Sequence, residues 1–307
     1  MKVVLFCGGL GMRLRDYAEN VPKPMVPLGY RPMIWHIMKY YAHFGHKDFI
    51  LCLGYRGDMI KNYFLHYEEG LSNDFILTEG GRRRELLTSD IDDWKITFVD
   101  TGLTSNIGER LSLVKKHLAG EEMFLANYSD GLSDVPLPQQ IETFRRDGSA
   151  ACFLSVKPNL SYHFVSVDGQ GRVESFRDIV QSGLRVNGGF FVFRQEIFDY
   201  IKEGEELVLE PFQRMVADNQ LLAYPYDGFW LPMDTAKDKA RLDELQSSGK
   251  PPWYVWNSNG TGNGYASAHA QMNGNGSSHV GANGHAPVGG PINGYTIGSV
   301  GRDLVPR

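Results

Sequence analysis

An apolar run followed at once by a glycine cluster opens the chain and limits the folds that it can adopt. Residues 3–6, VVLF, are β-branched, aliphatic or aromatic, which is typical of a strand buried on both faces of a parallel sheet. Residues 7–13, CGGLGMR, then place glycines at positions 8, 9 and 11 and end in Arg13. Glycine lets backbone N–H groups approach a polyanion, and an arginine can bind two phosphate oxygens. The pattern predicts a phosphate-binding loop or a plain turn, and it matches neither the Walker motif nor the G-x-G-x-x-G dinucleotide motif.

A lysine lies a short distance after this loop in the sequence. Lys23 stands between Pro22 and Pro24, which favours an extended backbone and a side chain with few available conformations. A cation held so near a phosphate loop suggests a second positive group directed at the same ligand. Together, Arg13 and Lys23 are candidate catalytic residues.

Strand and helix patterns alternate along the chain. Helical spacing at 32–44, 58–67 and 108–117 separates apolar strand patterns at 49–53, 96–99 and 123–125, and a terminal helix is indicated at 235–245. This rhythm predicts an α/β fold with a doubly wound, mostly parallel, Rossmann-like sheet, which binds ligands at the carboxyl ends of its strands. Two short strands at 164–167 and 173–176, joined by DGQG, predict a small antiparallel excursion from that sheet.

Asp130 follows one of these strands and precedes Gly131. A carboxylate at the end of a buried strand is well placed to hold a divalent cation, and the alternative is an aspartate that caps the next segment.

Composition excludes several classes of protein. The chain has 307 residues, 42% of them hydrophobic, which is enough for a large buried core. Its net charge of -5 and lack of a long basic run argue against a nucleic-acid partner. No apolar run approaches the roughly 20 residues that cross a bilayer, so we expect a soluble, cytoplasmic protein without a membrane partner. The three cysteines, Cys7, Cys52 and Cys152, lie in apolar runs and are expected to be buried thiols.

A series of ordered motifs resembles one enzyme family. The chain contains GGLGMRL, PKPMVPLGYRPMIWHIM, ITFVDTG, NGGFFVF, GFWLPMDTAKDK and PPWYVW. These blocks are similar to the sugar-phosphate nucleotidyltransferases, and most similar to their glucose-1-phosphate cytidylyltransferase branch. The likeness runs from Met1 to about Trp256, which defines a predicted nucleotidyltransferase domain at 1–256.

The resemblance implies transfer of a cytidylyl group from CTP to a sugar 1-phosphate, with Mg²⁺ as cofactor and a homo-oligomeric assembly. It makes Arg13, Lys23 and Asp130 catalytic and assigns Asp130 and Asp234 as ligands of Mg²⁺. Ser129 stands where the family has glycine, a small change that should leave the Asp130 carboxylate in place. The implied nucleotide-binding residues are Gly8, Gly9, Gly11, Met12, Arg13, Lys23 and Arg110. The implied sugar-phosphate-binding residues, in or near the antiparallel excursion, are Tyr128, Arg177, Asp178, Arg185, Asn187 and Gly188.

The chain departs from the family at the sugar site. The usual Glu-Lys-Pro motif is replaced by Arg177, Asp178, Ile179 and Val180, and residues 161–164 lack the family's glycine-rich acceptor segment. A charged contact to phosphate contributes about 1.5–3 kcal/mol, so loss of the lysine matters. Either Arg177 or Arg185 takes its place, or the acceptor is not glucose 1-phosphate.

Three alternatives remain open at this level. The base is inferred from the family, because spacing alone does not distinguish CTP from UTP or dTTP. A catalytically silent homologue is disfavoured because Lys23 and both aspartates are retained. A glycosyltransferase is disfavoured because Asp130, directly before Gly131, is a single aspartate and does not form a D-x-D motif there.

The end of the chain changes character. Residues 257–307 are rich in Asn-Gly pairs and predict a flexible tail, and the final LVPR resembles the remnant of a thrombin site.

Overall fold

A mixed sheet forms the centre of the protein in a computed structural model, which describes residues 1–9, 21–158, 163–179 and 183–257. The strands of this sheet are β1 (Lys2–Phe6), β4 (Asp48–Leu53), β7 (Lys95–Asp100), β8 (Met123–Tyr128), β10 (Ala151–Val156), β13 (Val186–Asn187), β14 (Phe191–Arg194) and β15 (Leu221–Tyr226). Small two-stranded sheets pair β2 (Pro27–Leu28) with β3 (Arg31–Pro32), β5 (Phe75–Thr78) with β6 (Arg83–Leu86), β9 (Gly131–Ser133) with β16 (Trp230–Pro232), and β11 (His163–Val167) with β12 (Val173–Asp178).

Helices cover both faces of the sheet. They are α1 (Met33–His43), α2 (Gly57–Leu65), α3 (Ile107–Val114), α4 (Leu137–Asp147), α5 (Ile197–Tyr200), α6 (Glu210–Ala217) and α7 (Ala236–Ser247). Short 3₁₀ turns occur at Lys23–Met25, Glu69–Leu71, Glu79–Gly81, Lys115–Leu118 and Val255–Asn257. The terminal helix α7 begins at a capping box, in which the Thr235 and Asp238 side chains each accept a backbone N–H of the other residue.

Strand directions place four strand ends at one edge. β7, β4, β1 and β8 are adjacent and parallel, whereas β14 runs antiparallel between β8 and β10. The predicted α/β fold with a mostly parallel sheet is therefore confirmed, and so is the antiparallel excursion, which is the hairpin β11–β12. The carboxyl ends of β1, β4, β7 and β8 meet at the edge where ligands bind in such sheets.

The first strand is buried on both sides, as its sequence predicts. Val3 and Leu5 face one apolar cluster, which includes residues of α1, while Val4 and Phe6 face a second cluster, which includes residues of α3. All three cysteines are buried, as expected. Within the described residues, no helix is both long and apolar enough to cross a membrane.

One local prediction differs from the structure. Lys23 lies in a 3₁₀ turn, with extended residues at Pro22 before it and Val26 after it, because the φ of about −65° that proline imposes also suits a 3₁₀ helix. Between α2 and β7, the hairpin β5–β6 carries three exposed arginines, Arg82, Arg83 and Arg84.

Candidate active site

Two aspartates and a lysine meet at the carboxyl edge of the sheet. The Lys23 Nζ atom lies 3.1 Å from Asp130 Oδ2 and 2.7 Å from Asp234 Oδ1. Pairing of β9 with β16 brings the two aspartates together, because Gly131 is opposite Pro232 and the Met233 N–H donates to the Asp130 carbonyl at 2.7 Å. Residues far apart in sequence thus form one charged cluster.

The charges in this cluster depend on one another. Burial raises the pKa of Asp130, and Lys23 offsets part of that increase. Burial alone would lower the pKa of Lys23, but the neighbouring carboxylates of Asp130 and Asp234 outweigh it, so the lysine pKa is raised. Lys23 therefore stays positive between two negative groups.

This donor set suits magnesium. Mg²⁺ in proteins is commonly held by one or two carboxylates together with substrate phosphates, and Asp130 and Asp234 supply two such carboxylates. Larger groups of three or more His, Cys, Asp or Glu side chains with metal-binding geometry do not occur in the described part of the chain. The Lys23 ammonium already places a positive charge between the two carboxylates, which shows that this position favours a cation.

Arg110 lies beneath the glycine loop. The residue is 2% exposed, and its guanidinium donates to the carbonyls of Gly8, Leu53 and Gly102 at 3.0–3.2 Å and to Thr101 Oγ1 at 2.6 Å. These acceptors follow or end three parallel strands, so one cation joins the ends of β1, β4 and β7. Arg110 thus positions the loop, and its contact with a nucleotide phosphate stays a prediction.

The glycine loop is only partly described. Gly8 is buried, and a Cβ atom there would lie 2.1 Å from the Arg110 guanidinium, so any side chain at this position would displace that guanidinium from its hydrogen bonds. Gly9 is exposed. The predicted residues Gly11, Met12 and Arg13 lie outside the described residues.

A second group of predicted residues surrounds the break between β13 and β14. Asn187 Nδ2 donates to the hydroxyl of Tyr128 at 3.4 Å, and Asn187 Oδ1 accepts the Gly189 N–H at 2.9 Å. Burial raises the pKa of Tyr128, so its hydroxyl stays protonated. The Gly188 carbonyl accepts Trp230 Nε1 at 2.9 Å, and Trp230 belongs to β16, the strand that leads to Asp234. The predicted sugar residues Tyr128, Asn187 and Gly188 are therefore joined to the carboxylate cluster through β16.

The two arginines considered as replacements for the family lysine have different surroundings. Arg185 donates to Asp227 Oδ1 at 2.8–2.9 Å and to the Tyr226 carbonyl at 2.8 Å, so its guanidinium is already paired. Arg177 is exposed on β12, where it is opposite Phe164, and Asp178 is exposed beside it. The hairpin thus presents Arg177 at the surface.

Sequence reasoning missed two contacts at this edge. Ser129 donates its hydroxyl to the Phe6 carbonyl at 2.7 Å and thereby ties the end of β8 to the end of β1. Trp230 lies in the GFWLPMDTAKDK motif, and its contact with the Gly188 carbonyl is the second. A small polar residue directly before Asp130 was the available signal for the first contact, whereas the second depends on pairing between strands that are distant in sequence.

Comparison with known proteins agrees with this architecture. Residues 2–273 match the protein family described as "Nucleotidyl transferase". The chain is 37% identical over 258 residues to a glucose-1-phosphate cytidylyltransferase of Salmonella typhi, and the match covers 83% of this chain and 100% of that protein. A glucose-1-phosphate cytidylyltransferase of Salmonella typhimurium gives the same identity and coverage.

A solved structure, HddC from Yersinia pseudotuberculosis, has a TM-score of 0.55 at 18% identity, covering 79% of this chain and 98% of that chain, and it supports the fold alone. With the family match over most of its length, the chain belongs to the nucleotidyl transferase family and is a nucleotidyltransferase.

Proposed function

We propose that the protein transfers a cytidylyl group from CTP to a sugar 1-phosphate and releases pyrophosphate. The observation that carries this proposal is the meeting of Lys23, Asp130 and Asp234 at the edge that also holds the Gly8 loop. The relatives named as glucose-1-phosphate cytidylyltransferases, which match over their whole length, support the same reaction. Glucose 1-phosphate or a related sugar phosphate is the proposed acceptor.

The reaction is an in-line substitution at the α-phosphorus. An acceptor phosphate oxygen forms the new P–O bond while the bond from the α-phosphorus to the bridging oxygen breaks, and pyrophosphate leaves with that electron pair. Such chemistry depends mainly on bringing two anions together and neutralising their charge. Backbone N–H groups of the glycine loop and Arg13 bind the departing phosphates.

Lys23 interacts with different groups in the ligand-free protein and in the substrate complex. In the ligand-free protein it neutralises Asp130 and Asp234, and in the substrate complex it stabilises the α-phosphate as charge builds there. Asp130 and Asp234 would hold Mg²⁺, which supplies positive charge between the two substrates when bound. The carboxylates of Asp130 and Asp234 are neutralised by Lys23 in the ligand-free protein and would be neutralised by Mg²⁺ in the substrate complex.

The acceptor lies toward Tyr128, Asn187 and Gly188. The Asn187 amide and Tyr128 hydroxyl supply hydrogen-bonding groups for a sugar, and Trp230 fixes the Gly188 carbonyl beside them. Arg177 binds the acceptor phosphate in place of the family lysine, because Arg185 is already paired with Asp227. A homo-oligomer is supported by the hairpin β5–β6, which leaves Phe75, Ile76 and Leu77 exposed.

A pyrophosphate-release assay tests the proposal. CTP, UTP, dTTP and GTP are each combined with glucose 1-phosphate, other sugar 1-phosphates and polyol phosphates, with Mg²⁺ or with a chelator. We expect release with CTP and a sugar 1-phosphate, dependent on Mg²⁺. Absence of release with every pair would contradict the proposed activity and favour a silent nucleotide-sugar-binding homologue.

A second candidate is the same chemistry with another substrate pair. The replacement of Glu-Lys-Pro by residues 177–179, Arg-Asp-Ile, favours an acceptor other than glucose 1-phosphate. Faster turnover with a different acceptor or nucleotide in the same assay would select this candidate.

A further inference from the structure

The strand next to β10 is interrupted beside the predicted sugar site. β13 and β14 pair antiparallel with the same strand, Ser155 opposite Asn187 and Cys152 opposite Val192. Ser155 and Cys152 are three positions apart on β10, whereas their partners Asn187 and Val192 are five positions apart. The 188–190 segment therefore accommodates two extra residues. Bulges of this kind redirect side chains near functional sites.

The inserted residues have an unusual backbone conformation. Gly189 has φ of 75° and Phe190 has φ of 48°, which places both in the left-handed region. Glycine adopts this region freely, whereas a bulky aromatic residue does so only when its surroundings hold it there. The Phe190 ring is buried against Tyr40 and Tyr41, with ring centroids 5.3 and 6.1 Å away.

Two buried amides hold the Phe190 backbone from both sides. Asn127 Oδ1 accepts the Phe190 N–H at 2.9 Å, and Gln140 Nε2 donates to the Phe190 carbonyl at 2.7 Å. Asn127 is 2% exposed and Gln140 is fully buried. A Cβ atom on Gly189 would lie 2.5 Å from Asn127 Oδ1, so glycine at this position lets the clamp close. We call Asn127 and Gln140 the amide clamp.

The clamp is connected to the site through the main chain. The Gly189 N–H, one residue before the clamped Phe190, donates to Asn187 Oδ1 and so fixes the plane of the Asn187 amide. With its oxygen engaged, Asn187 directs Nδ2 toward the Tyr128 hydroxyl. Asn127 immediately precedes Tyr128 on β8, so the same strand supports both sides of this contact.

We propose that the amide clamp positions Asn187 for the acceptor, so that Asn127 and Gln140 determine acceptor affinity without contacting the acceptor. This inference rests on the proposed function. Loss of either clamp residue should release Phe190 from its left-handed conformation and change the Gly189–Asn187 hydrogen bond. The nucleotide side, held by Arg110 and Ser129, should be unaffected.

The test compares Gln140→Met and Asn127→Leu, which remove the clamping groups, with Asn127→Asp, which keeps an oxygen to accept the Phe190 N–H. Gln195→Met is the matched control, because Gln195 Nε2 likewise donates to backbone carbonyls, those of Leu118 and Glu121 at 3.1 and 2.9 Å. Steady-state kinetics are measured with each substrate varied. Amide hydrogen exchange of a peptide covering residues 186–194 is measured in parallel on the same proteins.

For Gln140→Met and Asn127→Leu we expect KM for the acceptor to rise about tenfold, with KM for the nucleotide within about twofold of the wild type. Asn127→Asp should restore most of the acceptor affinity, and both clamp-breaking variants should lose exchange protection at 186–194. Gln195→Met should change neither the KM for the acceptor nor the exchange protection at 186–194. Equal changes in both KM values, a change confined to kcat, or unchanged acceptor affinity would overturn the proposal.

Failure of the proposed function can be told apart from failure of the clamp. If the wild type releases no pyrophosphate with any substrate pair, the proposed reaction is wrong and the exchange experiment alone decides the clamp. Unchanged protection at 186–194 in both clamp-breaking variants would then overturn it, and protection lost there but kept in Gln195→Met would support it.

Discussion

The two halves of the central sheet differ in how firmly their loops are held. In the parallel half, formed by β1, β4, β7 and β8, buried side chains such as Arg110 and Ser129 tie neighbouring strand ends together. In the half built on β10 and β14, the amide clamp holds the 188–190 segment, but the hairpin β11–β12 leaves Phe164 and Phe176 more than half exposed. An isolated two-stranded hairpin is only marginally stable in water, so the second region depends more on what binds it.

The departures from the family follow the same division. The Gly8 loop and Lys23 lie in or beside the firmly held half, and their motifs are intact. The missing Glu-Lys-Pro motif falls at the end of β12, in the exposed hairpin. The comparison supports the proposal that phosphate chemistry belongs to the firmly held half, here called the rigid half, and acceptor choice to the half with the exposed hairpin, here called the variable half.

The prediction with the largest expected effect concerns the rigid half. Asp130→Asn should lower kcat by at least about 10³-fold, because one of the two carboxylates proposed to bind the metal loses its charge. Asp93→Asn is the matched control, since Asp93 also pairs with a lysine, Lys47, but at the surface. Pyrophosphate release and thermal unfolding are measured for both variants. An active Asp130→Asn enzyme would remove Asp130 from the metal site.

A second variant examines the cation between the carboxylates. Lys23→Met should reduce kcat by about 10²- to 10³-fold and should destabilise the metal-free protein, because Asp130 and Asp234 are left without a counter-charge. Thermal unfolding with and without Mg²⁺ measures the second effect. We expect Mg²⁺ to raise the midpoint of Lys23→Met more than that of the wild type.

The matched control for that experiment is Lys47→Met, which removes a surface lysine that pairs with Asp93. Its Mg²⁺ response should equal that of the wild type. An equal response in Lys23→Met would mean that lysine and metal do not compete for the same carboxylates.

Acid should lower the free energy of unfolding because of His36, which lies on α1 beside the rigid half and is 1% exposed. Burial lowers the pKa of His36 to about 4, whereas the unfolded chain has its ordinary value of about 6.5. Between these values the unfolded state binds more protons, so the free energy of unfolding falls as pH drops from about 6.5 to 4. The total loss is about 3 kcal/mol.

The variant His36→Gln keeps a donor for the Leu28 carbonyl but cannot titrate. Denaturant unfolding between pH 7.5 and 5 should give a flatter pH dependence for it than for the wild type. The exposed His66 supplies the control, and His66→Gln should keep the wild-type slope. Some slope should remain in His36→Gln, because burial lowers the pKa of His46 to about 4 as well.

The smallest effect concerns the variable half. Arg177→Gln should raise KM for the acceptor about tenfold and leave KM for the nucleotide unchanged, since the proposed charged contact to the acceptor phosphate is lost. Arg185→Gln is the informative comparison, because its partner is Asp227 and its loss should mainly lower thermal stability. If only Arg185→Gln alters the acceptor KM, Arg185 is the replacement for the family lysine.

The parallel fold could be predicted because its signals are local. Three elements are indicated by their own residues, without reference to distant sequence. They are β1 by the apolar run at residues 3–6, α1 by its helical spacing, and α7 by its cap at Thr235. Convergence of Asp130 with Asp234 could not be derived in this way. It depends on the pairing of β9 with β16, and only the family resemblance pointed to it.

Buried polar groups were the harder part of the site. Arg110 and Gln140 each occupy a position on the buried stripe of a helix, beside Leu111 in α3 and beside Ile141 in α4. A polar residue in that register was the available signal, but sequence alone does not say which carbonyl it binds. The conformation of Phe190 was unpredictable for a related reason, since it is imposed by tertiary contacts against the preference of the residue.

The shared cation at Arg110 has a consequence for residues beyond the predicted site. Gly54 follows β4, and a Cβ atom there would lie 2.8 Å from the carbonyls of both Gly8 and Gly102 and 2.9 Å from Arg110 Nη1. Even an alanine at this position would clash with the carbonyls that lie beneath the proposed nucleotide site. A substitution one strand away from the proposed phosphate loop, at a glycine that no substrate needs to contact, can thus distort that loop.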